Sequence, residues 1–212
     1  MTGERRTLEK AEPEAPGRGE ATRARLIETA YTLFCRKGFH GTSLRDIADE
    51  AGVAVGGIYN HFKDKEAIFE AVFDAYHPYH ALLPAVRAID DDTVEGFLRE
   101  VVRLLGESVL GGGSQVMPLL FIEMVEFQGR HLGRLFERLA PTILGFVNSL
   151  SQRKGRLRAL PPKVLFRTFM SLLVGFFVTE LLLKDSPLFR QKVNWLDGLV
   201  DIFLHGILAP EA

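Results

Sequence analysis

Apolar side chains recur along this chain at spacings of three and four, the period of a helix with one buried face. Leu26, Ile27, Ala30, Tyr31, Phe34 and Cys35 predict the inner stripe of a first helix over about residues 22–37. Gly38 ends it, and Phe39 folds back as the apolar contact of its cap. Ile47, Ala48 and Ala51 give a second, short helix its inner face, with Thr42 or Ser43 placed to cap its start. Gly52 stands where a helix stop often needs positive φ, Val53 anchors the turn, and Ile58 and Phe62 face a third helix inward. Ala48 and Gly52, small and four apart, let the second and third helices cross closely at a steep angle. Asp64 can cap a fourth helix carrying Ala67, Ile68, Ala71, Val72 and Ala75 on one side, and Pro78 and Pro84 interrupt the pattern beyond it.

From Thr93 the pattern is helix after helix: 93–110, 118–128, 132–152 with a bend expected near Pro141, 164–183, and a last one over about 189–208. The run Gly111, Gly112, Gly113 lacks the Lys and Ser/Thr of a phosphate-binding loop and predicts a flexible connection. Pro161 and Pro162 open the next helix. No alternation of strand type appears, and no internal repeat. The predicted architecture is all-α, with a small N-terminal domain and a larger C-terminal helical bundle. Residues 1–17 carry no apolar period and are expected to be a disordered tail. Arg18, Arg23 and Arg25 after it suit either a basic arm lying along a phosphate backbone or plain solvated charge.

The segment from Thr42 to Glu66 has the form of a helix-turn-helix, whose second helix enters a DNA major groove. Gly56 and Gly57 leave the front of that helix nearly bare. Tyr59, His61 and Lys65 offer a phenol, an imidazole and an ammonium to phosphate oxygens, and Arg45 on the preceding helix can reach a guanine edge or a phosphate. Ile47-Ala48, Ala51-Gly52-Val53, Gly56, Tyr59, His61-Phe62 and Lys65-Glu66, preceded by Thr42 and Ser43, form a dense and correctly spaced set. This set closely resembles the DNA-binding signature of the tetracycline-repressor (TetR) family of bacterial transcriptional regulators. The likeness covers roughly residues 20–70. It implies a three-helix DNA-binding domain over 18–66 and a bundle over 67–212 for effector binding and dimerisation. It further implies that Arg45, Val55, Gly57 and Asn60 face bases, and that Thr42, Ser43, Tyr59, His61 and Lys65 form the rest of the DNA-facing set, chiefly on phosphates. Ala54 departs from the family's usual Ser, which would cap the recognition helix. Val55 and Gly57 sit where longer or hydroxyl-bearing residues are common, so groove shape is expected to contribute more than direct base reading.

Composition narrows the partners. A formal net charge of −1 over 212 residues leaves no bulk positive field, so DNA binding has to rest on a local patch. A single cysteine excludes an intramolecular disulfide, and Cys35 is expected as a small buried filler. No Cys/His cluster has zinc spacing, and neither metal nor cofactor is expected. The N-terminus has no apolar signal-peptide core, which favours a cytoplasmic protein.

Residues 164–183 are long and apolar enough to span a bilayer, but Arg167 and Glu180 lie inside and would be costly in lipid. A soluble helix, covered on one side by its own bundle and on the other by a second subunit, is expected instead. A homodimer interface over Leu172, Gly175, Phe176, Leu199 and Phe203 follows, with no membrane partner. The expected effector is a small lipophile in a pocket lined by Met117, Phe121, Met124, Phe127, Phe169 and Phe176. Glu123 and Glu126, three apart, share a helix face. Facing inward they would attract a cationic or donor-bearing lipophile; facing outward they are surface charge. No nucleophile elbow, dinucleotide fingerprint or His-Glu-x-x-His zinc motif is present, so an enzyme is not expected. A helical scaffold that binds a partner without DNA stays open as the alternative to a ligand-responsive regulator, most simply a repressor released from a palindromic operator by its effector.

Overall fold

The computed structural model describes residues 17–110, 115–155, 157–183, 185–187 and 194–207. Ten helices are described: α1 Arg18–Lys37, α2 Leu44–Ala51, α3 Val55–Ile58, α4 Lys65–Tyr76, α5 Tyr79–Arg87, α6 Val94–Leu110, α7 Val116–Glu126, α8 Arg130–Leu150, α9 Pro162–Leu183 and α10 Trp195–Ile207. Among the described residues no strand forms, and Thr93 and Lys154 make one isolated parallel bridge. The chain divides into two compact units, one ending at Val72 and the other beginning at Phe73, so the boundary falls inside α4. The glycine run at 111–113, the segment 189–193 and the N-terminal tail up to residue 16 lie outside the described residues.

In the first unit α1 starts at Arg18. Arg18, Arg23 and Arg25 are therefore helical rather than an extended arm, because Glu20, Ala21, Ala24 and the arginines are good helix formers. Leu26, Ile27, Ala30, Leu33 and Phe34 supply the buried face of α1. Cys35 falls outside that stripe and is exposed, which corrects its expected role as a buried filler. Partial cover by its neighbours still pushes the thiol above the ordinary cysteine range. Phe34, Phe39 and Phe69 pack edge to face or tilted, with ring centroids 5.6–5.7 Å apart, and tie α1 to α4. Ile47, Ala48, Ala51, Ile58, Phe62, Ile68 and Val72 complete this core.

In the second unit Pro78 separates α4 from α5, as its missing N–H predicts, whereas Pro84 and Pro141 lie inside α5 and α8 without ending them. The core runs through Val94, Phe97, Leu98 and Val102 of α6, Leu165, Leu173 and Phe177 of α9, and Val200, Phe203 and Leu204 of α10. Arg99 on α6 pairs with Glu95 at 2.8 Å and with Asp201 on α10, holding the two helices together at the rim. By length and composition α9 could cross a membrane. Its inner side is built into the bundle core, and Arg167 lies exposed near its start. Its other side leaves Val174 48 % and Leu182 71 % exposed, and Ile202 on α10 is 71 % exposed. Phe203 is buried against Phe169, with centroids 5.3 Å apart, so it belongs to the interior and not to a subunit interface.

Candidate nucleic-acid interface and ligand cavity

The turn between α2 and α3 is fixed by its own backbone. Ser43 caps α2: its hydroxyl accepts from the Asp46 N–H at 3.1 Å, and the Asp46 carboxylate accepts from the Ser43 N–H at 2.8 Å. These bonds to Ser43, with the Lys37 ammonium at 3.0 Å, hold the Asp46 carboxyl well below the usual carboxylate range. Gly52 closes α2 at φ 64°, a left-handed conformation that favours glycine, and its N–H and that of Val53 both reach the Ala48 carbonyl. Ala54 opens α3 without a side-chain cap. Regular helix then stops at Ile58 and continues as turns, with the His61 and Phe62 N–H groups both bonding the Ile58 carbonyl at 2.9 Å.

Gly56 and Gly57 are the telling residues of this surface. Neither has a positive φ, and a β-carbon built on either meets nothing within 4 Å. Nothing inside the fold requires glycine here, and two glycines weaken the helix they sit in. Around them Arg45, Tyr59 and Asn60 are exposed, with Tyr59 at 57 %, while Val55 and His61 are half-buried.

Three expected DNA contacts are engaged within the fold, and two of them, Thr42 and Lys65, turn inward. Thr42 is 1 % exposed, and its hydroxyl donates to the Gly38 carbonyl at 2.8 Å, with the Leu33 carbonyl at 3.3 Å. The Ser43 hydroxyl is occupied by Asp46 on both its accepting and donating sides. Lys65, the first residue of α4, sends its ammonium to the Phe39 carbonyl at 2.7 Å and the Thr42 carbonyl at 2.6 Å, and lies 4.2 Å from the Phe39 ring centroid. It is a bolt between α4 and the α1–α2 corner. A Lys65→Met variant, which keeps the stem and removes the ammonium, is expected to destabilise the head by about 1–3 kcal/mol. The salt dependence of DNA binding should be unchanged per remaining phosphate contact. A slope reduced by about one per half-site would return Lys65 to the phosphates.

The second unit holds a half-open cavity of about 300 Å³, walled by α5 to α10. Met117, Phe121 and Met124 of α7 and Phe169 of α9 line it as expected; Glu123, Glu126, Phe127 and Phe176 do not. Glu123 is fully buried, and its carboxylate accepts from the backbone N–H groups of His131 (2.6 Å) and Leu132 (3.0 Å) and pairs with His131 Nδ1 at 2.8 Å. It therefore caps α8, a site where the unpaired N–H groups of a helix start favour a carboxylate. Phe127 packs edge-on against His131 with centroids 4.5 Å apart. The cationic version of the pocket is thereby corrected: its wall carries no acid among the described residues. At the α4–α5 corner the Tyr79 hydroxyl donates to Asp74 at 2.6 Å and lies 2.8 Å from the Arg138 guanidinium on α8.

Residues 26–72 match the family model of bacterial regulatory proteins of the tetR family. A helix-turn-helix transcriptional regulator of Bacillus subtilis, YvkB, itself uncharacterised, is 23 % identical over 190 residues, covering 89 % of this chain and 98 % of its own. Residues 26–72 are thus a tetR-family DNA-binding domain. Its fold is that of NalD from Pseudomonas aeruginosa, the secondary repressor of the MexAB-OprM multidrug efflux pump. That structure has a TM-score of 0.66 and 24 % identity, covering 90 % of this chain and 98 % of its own. A transcriptional regulator from Saccharomonospora viridis in complex with choline matches with a TM-score of 0.68 at 20 % identity, covering 90 % of this chain and all of its own.

The chain thus carries a tetR-type helix-turn-helix over residues 26–72, and the relatives it matches are helix-turn-helix transcriptional regulators. Sequence reasoning missed the inward turn of Thr42 and Lys65, whose partners lie 4 to 26 residues away, and the wall positions on α5, α6 and α8. The period of Val101 and Leu105 on α6 did carry a signal for the last of these.

Proposed function

We propose that this regulator is a homodimeric, cytoplasmic repressor that grips a palindromic operator and lets go when a small lipophilic molecule enters the C-terminal cavity. The observation that carries the reading is that cavity, about 300 Å³ of apolar space in the chain that also bears the helix-turn-helix. Protein interiors close-pack, and an apolar cavity offers a lipophilic molecule dispersion contacts on several walls. On this reading Arg45, Val55, Gly57 and Asn60 face bases, and Tyr59 and His61 hold phosphates. Residues 18–66 read DNA and 67–212 bind effector and partner subunit. Leu172, Gly175, Phe176 and Leu199, beside the exposed Val174 and Ile202, supply the two-fold interface. Such a dimer sets two heads about 34–36 Å apart, or a multiple of that, for one duplex face. The effector has to bind the DNA-free arrangement more tightly than the bound one, since equal affinity shifts nothing.

Selection from random DNA, followed by a gel shift on the selected site and sedimentation of the free protein, tests the reading. An inverted repeat bound by a dimer is expected; a monomer binding a single half-site as its full target overturns it. Arg45→Ala should cost about 1–3 kcal/mol on the selected site and much less on random DNA. Equal losses on both would make Arg45 a phosphate contact.

A further inference from the structure

Among the described residues the cavity wall carries no side chain of permanent charge. Among the described lining side chains only His77 and Tyr79 carry a nitrogen or oxygen, and both sit at the α4–α5 corner. The rest of the wall is Phe, Leu, Val, Ile, Met and Pro. A carboxylate or an ammonium taken into the depth of this space would give up water with no counter-charge among the described wall residues to replace it, at a cost of several kcal/mol. The two polar residues are not equivalent. The Tyr79 hydroxyl is already bound between Asp74 and Arg138. The His77 Nδ1 accepts from the Tyr79 N–H at 3.3 Å, which places the ring proton of the neutral imidazole on Nε2. Burial keeps this ring neutral, its pKa brought down to about 4. Nε2–H has no protein acceptor among the described residues and is the one ring donor on the wall.

From this juxtaposition we infer that the cavity selects uncharged lipophiles bearing a hydrogen-bond acceptor, such as a ketone, ester or quinone oxygen, and that His77 Nε2–H is the group that reads the acceptor. The inference rests on the cavity being the effector site. It replaces the carboxylate-lined pocket with a neutral, donor-bearing one.

The test uses the full chain and a series of probes matched at ten or eleven carbons in the chain: 2-undecanone, decanoate and decyltrimethylammonium, each below its aggregation limit. Binding is read by displacement of the neutral fluorophore N-phenyl-1-naphthylamine, and DNA release is measured separately. The ketone should bind at least about tenfold more tightly than either ion. His77→Leu should weaken the ketone roughly fivefold to tenfold and leave the fluorophore unchanged, and His77→Gln, which keeps an N–H donor, should restore most of the loss. Because the series on the unmodified protein needs no variant, a misfolded His77→Leu does not decide the matter. Binding of decanoate or decyltrimethylammonium as tightly as the ketone overturns the inference and leaves the effector cavity standing. Equal ketone affinity in the His77→Leu protein removes His77 as the reader. Tight ketone binding without DNA release upholds the ligand class and overturns the regulatory reading. If the fluorophore and all three probes fail to bind, both fall.

Discussion

The double variant Gly56→Ala, Gly57→Ala should be more stable than the natural protein and a poorer DNA binder. Both β-carbons would enter open space, and neither backbone is in the left-handed region, so no strain is introduced. Alanine in place of glycine in a helix is favourable by about 0.5–1 kcal/mol per site. The head should therefore gain about 1–2 kcal/mol in denaturant unfolding. Affinity for the selected operator should fall by more than about tenfold, because methyl groups now stand between α3 and any surface it approaches. Opposite signs in the two measurements are the point. Unchanged DNA affinity with raised stability would mean that α3 is not the face that meets DNA.

Glu123→Leu is expected to be the most damaging single change in the second unit. It fills similar volume but strips the start of α8 of its acceptor, leaving the His131 and Leu132 N–H groups buried and unmatched. The loss should be about 3–5 kcal/mol in thermal or denaturant unfolding, the usual range when one member of a buried pair is removed. Glu126→Leu, a change of the same chemistry at a half-buried position outside the cavity wall, should cost far less. Comparable losses at the two positions would show that Glu123 is not the cap of α8.

The contrast between those acids marks what sequence can carry. That Glu123 and Glu126 share a face follows from helical period alone. Which of them turns inward depends on how the chain reverses between α7 and α8. Gln128 at φ 55° and Gly129 at φ 79° make that reversal and bring the start of α8 onto Glu123. The helices themselves were legible because Leu26, Ala30 and Phe34, or Ile47, Ala48 and Ala51, announce a face within a few residues, and Gly52 announces its end. The helix-turn-helix was legible for the same reason, every determinant lying within one short segment. Thr42 and Lys65 were not, since a hydroxyl or ammonium reads equally well as a ligand for phosphate or for a distant carbonyl. On α9, apolar nearly all round, period cannot choose between cavity, core and subunit interface. Phe169, Leu172 and Phe177 were therefore sortable only once the bundle had been assembled.

The exposure of Cys35 has a practical side. With one cysteine and one tryptophan in the chain, a thiol-reactive dye attaches to a single position on α1, and the indole of Trp195 on α10 is the sole intrinsic donor of its kind. Because the thiol titrates above its ordinary range, labelling should proceed faster at mildly alkaline pH than at neutrality. The natural protein thus carries one optical handle on each of its two units, and, on the proposed function, energy transfer between them can follow effector binding without a single substitution.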